Sequence, residues 1–234
     1  VNTSQGSGCI TVNGTTNSSL ATYISQNFNL ISGAGNISVA GATNSTTNQG
    51  VYIYSGNITT TSGNINLSGS SNTGYAGFDY ARDTSIGSIS STTGNIAITG
   101  STNANTYGVD LYGNVSSTTG NINITGNGGS STYGLYLSKN VTSTSGNITL
   151  TGRGTGSYGL YDAGANISSA GNISLFSDAI LRVNANVYST GAGNKLIIKS
   201  NGSIQNNPGS QTIQTNNGSL VLRSEEHTSE LQSR

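Results

Sequence analysis

Apolar residues in this chain recur at every second position in short runs, and the runs themselves recur. Ile37 and Val39 follow Gly35-Asn36, and the same Gly-Asn-apolar-x-apolar pattern returns at Gly63, Gly94, Gly120 and Gly146. Weaker copies start at Gly8, Gly171, Gly193 and Gly218. The nine starts are spaced 27, 28, 31, 26, 26, 25, 22 and 25 residues apart. A spacing of two is the strand period, because successive side chains of an extended chain point to opposite faces. Each unit carries two further pieces. One is Gly-apolar-x-apolar, as in Gly50-Val51-Tyr52-Ile53, Gly108-Val109-Asp110-Leu111 and Gly134-Leu135-Tyr136-Leu137. The other is Asn-apolar-Ser/Thr, as in Asn57-Ile58-Thr59, Asn114-Val115-Ser116 and Asn140-Val141-Thr142.

Three short strands per repeat, with Gly, Asn, Ser and Thr between them, predict an all-β, right-handed parallel β-helix of about 8 coils of 22–31 residues. A single unit has too few inward apolar residues to close a core, but stacked units bury a continuous one. With roughly 4.8 Å between coils, the rod is on the order of 40 Å long. The Asn before each strand suits a turn, tolerating left-handed backbone and bonding to stacked copies of itself. The longest insertion, Ser70 to Thr93, holds Phe78, Asp79, Arg82 and Asp83 and is expected to bulge from the rod. No internal boundary stands out, so residues 1–222 read as one repeat domain. Exposed coil ends predict self-association.

Composition narrows the classes. Charged residues make up 7% of the chain, with 8 basic and 8 acidic residues and no net charge. That excludes a basic nucleic-acid binder. One Cys excludes a disulfide scaffold, and no apolar run is long enough for a spanning helix, so no membrane insertion of this segment is expected. The chain lacks Met, and Val1 is read as lying inside a longer protein. Residues 223–234, from Arg223 through His227 to Arg234, resemble a translated sequencing adapter and are read as a non-native tail. Without them the body has five acidic and six basic residues. Few charges suit a stack in which every surface residue lies near its own copy one coil away.

The run from Ser116 to Gly152, SSTTGNINITGNGGSSTYGLYLSKNVTSTSGNITLTG, resembles the repeats of filamentous haemagglutinin-type and autotransporter-passenger adhesins. The resemblance extends over most of 8–222. It implies a right-handed β-helix exported to the bacterial cell surface, outer-membrane associated, and acting in adhesion or aggregation. Expected partners are host-cell or neighbouring-cell surface glycans or proteins. No catalysis, cofactor or metal is expected. The alternatives are a β-helix enzyme acting on polysaccharide and a carbohydrate-binding or ice-binding solenoid.

Candidate chemistry is sparse. Asp79 and Asp110 fall at equivalent positions of adjacent coils, with side chains expected outward and solvated, roughly 5 Å apart. Such a pair could share a proton, bind Ca²⁺ or act as acid and base; the simpler reading is two surface carboxylates with Arg82 relieving repulsion. Asp162 and Asp178 have no comparable partners by spacing. Cys9 takes an Asn turn slot and has no activating partner. Tyrosine supplies 12 of the 15 aromatic residues. Tyr52, Tyr136 and Tyr161 share the column of Asp79 and Asp110, and Tyr107, Tyr133 and Tyr158 form a second column. An exposed stripe of this kind could stack on sugar rings or anchor a protein, or it could stabilise the rod by cross-strand stacking. Tyr52, Tyr136, Tyr161, Asp79 and Asp110 are therefore the candidate ligand-binding residues. Hydroxyl rows at Thr92-Thr93, Thr118-Thr119 and Thr144-Ser145 suggest a flat array or simple turn chemistry. Sequons at Asn36, Asn57, Asn114 and Asn147 are possible glycan acceptors.

Overall fold

The computed structural model describes residues 2–3, 6–26, 28–82, 87–104, 106–130, 132–206 and 211–225. Asp83, His227 and the tail from residue 226 lie outside the described residues. Twenty-six strands and no α-helix are present among the described residues. They form three parallel sheets of nine, nine and eight strands, and each strand pairs with its equivalents one coil away. Sheet B begins each coil, with strands such as Ile65–Ser71, Ile96–Thr102, Ile122–Asn127 and Ile148–Arg153. Sheet C follows, with Ala76–Tyr80, Tyr107–Leu111, Tyr133–Leu137 and Tyr158–Asp162. Sheet A completes the coil, with Gly87–Ser91, Asn114–Ser117 and Val141–Ser143. The fold is the expected parallel solenoid of about 8 coils.

Register follows the repeat. Ile37, Ile65, Ile96, Ile122, Ile148, Ile173 and Leu196 are successive partners in sheet B, and all seven are fully buried. Val39, Leu67, Ile98, Ile124, Leu150, Leu175 and Ile198 form the second inward column. Each such side chain contributes about 1.5–3 kcal/mol on burial. Two glycine columns let sheets B and C approach. A Cβ on Gly41, Gly69, Gly100, Gly126 or Gly152 would lie 2.0–2.1 Å from the carbonyl oxygen of Gly50, Gly77, Gly108, Gly134 or Gly159. The coils shorten after Gly171, yet the columns continue through Leu196 to Leu220.

Asparagine stitches the turns. The Oδ1 atoms of Asn36, Asn64, Asn95, Asn121 and Asn147 accept from the backbone N–H of Asn64, Asn95, Asn121, Asn147 and Asn172 at 2.8–2.9 Å. The bond to the stacked copy was expected; left-handed backbone at these positions was not found. Among the described non-glycine residues, φ is positive only at Ala81 and Asn217. The Asn side-chain oxygen reaches the next coil's amide with φ negative, so no left-handed turn is needed.

The insertion from Ser70 to Thr93 does not simply bulge. Ala76–Tyr80 and Gly87–Ser91 are regular members of sheets C and A. Phe78 lies between Val51 and Val109 in an inward column and is fully buried. Tyr80 is also buried, and its hydroxyl donates to the Gly56 carbonyl at 2.7 Å. Burial pushes the Tyr80 phenol up from its ordinary pKa. The large rings of Phe78 and Tyr80 pull this segment into the core.

Candidate functional site: the tyrosine face of sheet C

The outer face of sheet C gathers most of the chain's unusual chemistry. Its central outward column reads Tyr23, Tyr52, Asp79, Asp110, Tyr136, Tyr161 and Arg182, in register from coil to coil. The candidate residues Tyr52, Asp79, Asp110, Tyr136 and Tyr161 therefore do share one column. Their exposure differs from expectation. Asp79 and Asp110 are 0% exposed rather than solvated. The cause is a roof supplied by residues outside the column. Gln49 Nε2 donates to Asp79 Oδ2 at 3.2 Å. Arg82 Nε lies 3.7 Å from Asp110 Oδ2, and the Arg82 side chain is 37% exposed. The Arg82 guanidinium also lies 4.1 Å from the Tyr75 ring centroid.

Electrostatics mark the same cluster. Burial, then the Asp110 charge, raises the phenol pKa of Tyr75, Tyr107 and Tyr112. Burial lowers the Arg82 pKa, but Tyr75, Asp110 and Asp79 outweigh it and hold the guanidinium charged. The carboxylates thus sit beneath a lid of phenols and one arginine.

The tyrosines form a two-column ladder. Tyr75, Tyr107, Tyr133 and Tyr158 succeed one another at centroid distances of 5.6, 5.3 and 5.6 Å. Beside them Tyr136 and Tyr161 stack at 5.5 Å, only 3° from parallel, and Tyr112 lies 5.3 Å from Tyr136. Cross-column contacts close the patch, with Tyr133 and Tyr161 at 4.9 Å. Arginines cap both ends: Arg82 lies over Tyr75, and Arg182 lies 5.5 Å from the Tyr161 centroid. Arg182 Nη1 also donates to the Tyr158 hydroxyl at 3.2 Å. Aromatic and cation–π contacts of this kind each contribute about 0.5–1.5 kcal/mol. The seven rings are half-buried and pack against one another, three pairs stacked and the others tilted or edge-on.

Sequence reasoning missed Gln49, Tyr75, Tyr112 and Arg182. Tyr75 was hidden because Ala76, not Tyr75, is the register partner of Tyr107. Arg182 was recoverable by counting one coil beyond Tyr161. Asp162 has no carboxylate partner in register, and it points inward, fully buried, between Leu137 and Val183. Elsewhere, a neutral groove of about 640 Å³ crosses the first four coils, bordered by Thr15, Asn17, Ala42, Asn44, Ser70 and Asn103. The rows Thr92-Thr93, Thr118-Thr119 and Thr144-Ser145 lie exposed on the turns between sheets A and B.

Three parallel sheets in continuous register define a parallel β-solenoid repeat protein. Comparison with family models, with curated proteins and with solved structures gave no match.

Proposed function

We propose that this chain is a structural, adhesive rod segment of an exported bacterial surface protein, acting in cell adhesion or aggregation without catalysis. The observation that carries the reading is the unbroken stack: one core runs from Ile10 to Ile198, through sheets in which each strand pairs with its equivalents one coil away. Such a rod is stiff and offers many copies of a weak contact, which gives avidity without one strong site. The contact surface on this reading is the sheet C face. Tyr52, Tyr136 and Tyr161 meet a surface glycan or protein through hydroxyls and ring edges, while Asp79 and Asp110 hold the face in shape from beneath.

The test is adhesion of beads coated with the folded chain to cells and to immobilised glycans. Binding that is lost on heat denaturation and reduced in Tyr136→Ala/Tyr161→Ala supports the proposal. Equal binding by coated and bare beads overturns it. Release of reducing sugars from any polysaccharide would favour the enzymatic alternative, and its loss in Asp79→Asn/Asp110→Asn would locate the site.

A further inference from the structure

We propose that the tyrosine ladder is a site of oxidative cross-linking, in which phenols on neighbouring coils couple to form a covalent staple along the rod. The substrate class is a peroxide used by a haem peroxidase, the one-electron oxidant of phenols. The inference does not depend on the adhesive reading.

The oxidisable groups point to the ladder. The chain has no Met and no Trp, and its one Cys, the exposed Cys9, lies in the first coil, away from the tyrosine stack. The side chains that normally absorb oxidation first are thus nearly absent. Tyrosine is the remaining redox-active group, and seven tyrosines touch in one patch at centroid separations of 4.9–5.7 Å. A radical formed on any half-buried ring has another phenol in van der Waals contact, so a second oxidation in the same patch meets its coupling partner already in place. Tyr133 with Tyr161, at 4.9 Å, and Tyr158 with Tyr161, at 5.0 Å, are the tightest pairs.

In the step itself, each of two phenols gives one electron to the peroxidase and one proton to solvent. The two radicals join through ring carbons ortho to the hydroxyls. Each ortho hydrogen then moves to its phenolic oxygen, restoring both aromatic rings. Two tyrosines and one hydrogen peroxide thereby become one dityrosine and two waters. A bond from Tyr133 to Tyr161 ties one coil to the next. A chain with a single cysteine has no internal disulfide to do this.

The experiment treats the intact folded chain, at dilution, with a haem peroxidase and hydrogen peroxide, followed by tryptic digestion and mass spectrometry. Tyr133 and Tyr136 lie in the peptide 83–139, and Tyr158 and Tyr161 in 154–182. The expected product is a monomeric chain in which these two peptides are joined, two hydrogens lighter than their sum, with dityrosine fluorescence and a raised Tm. Tyr158→Phe/Tyr161→Phe keeps the rings and is expected to abolish the joined species. Tyr23, at 52% exposure, is the internal control. If oxidation follows exposure alone, dimers linked through Tyr23 dominate and the proposal fails. It fails equally if the joined species is absent from the wild-type chain, persists in the double variant, or forms as readily in urea-unfolded chain.

Discussion

Asp162 gives the sharpest test of how the coils are held. It occupies an inward column between Leu137 and Val183, with Leu111 one coil further on. Its Oδ1 accepts from the Gly164 and Ala165 amides at 2.9 and 2.6 Å, and its Oδ2 accepts from Ala185 one coil on at 3.2 Å. Asp162→Ala removes both acceptor oxygens and with them all three hydrogen bonds. The Gly164 amide is at an exposed residue and recovers a water, whereas Ala165 is fully buried. Stranding one buried donor costs about 1–3 kcal/mol, and losing a charged acceptor for the others adds a comparable amount. The sum is about 4 kcal/mol, or a Tm lowered by roughly 8–16 °C in a chain of this size. Acid pH separates this account from simple cavity formation. Burial raises the Asp162 pKa above its ordinary carboxylate value, and the backbone amides of Gly164, Ala165, Ala185 and Asn184 only partly oppose it. The folded state therefore binds the proton more tightly than the unfolded state. The stabilisation is complete below the unfolded pKa and is lost as pH rises through the folded one. Thermal melts followed by circular dichroism from pH 3.5 to 7 should show the wild type gaining stability on acidification relative to Asp162→Asn. A wild type that loses stability relative to Asp162→Asn over that range, or an Asp162→Ala melt unchanged from wild type, refutes the reasoning.

Three further outcomes follow from the packing. Gly126→Ala should destabilise strongly in urea titration, because its Cβ would meet the Gly134 carbonyl oxygen at 2.0 Å, whereas Gly6→Ala, whose Cβ would meet nothing nearer than 4.0 Å, should change little. Phe78→Ala should cost about 3–5 kcal/mol by the same assay, as expected for a fully buried ring in the core. Leu220 and Leu222 are 44% and 54% exposed on the last described strand, so Leu222→Lys should lower any concentration-dependent association seen by sedimentation velocity.

What was legible in the sequence was whatever repeats with the coil. The Gly-Asn turns, the inward columns through Ile122 and Ile148, and the alignment of Asp79 with Asp110 all emerge from counting, because a solenoid places equivalent positions directly above one another. Burial of the two carboxylates was not legible. It depends on Gln49 and Arg82, whose role no copy in the next coil marks, and on Tyr75, which lies one position out of register with Tyr107. Asp162 was illegible for a different reason: its partners are backbone amides, which leave no trace in residue identity. The mutual tilt of the ladder's rings was likewise invisible, since spacing aligns the rings but leaves their tilt to local packing.

The central claim, parallel coils in the stated register, is tested most directly by disulfide trapping. In a Cys9→Ser background, Thr125→Cys/Thr151→Cys pairs register partners of adjacent coils on the outer face of sheet B. Their Cα atoms, about 4.8 Å apart, suit a disulfide. Thr125→Cys/Thr149→Cys offsets the pair by one two-residue step, to about 8 Å, beyond bridging range. Rapid oxidation of the first pair and failure of the second is the predicted result; preferential closure of the offset pair, or of neither, would contradict the fold.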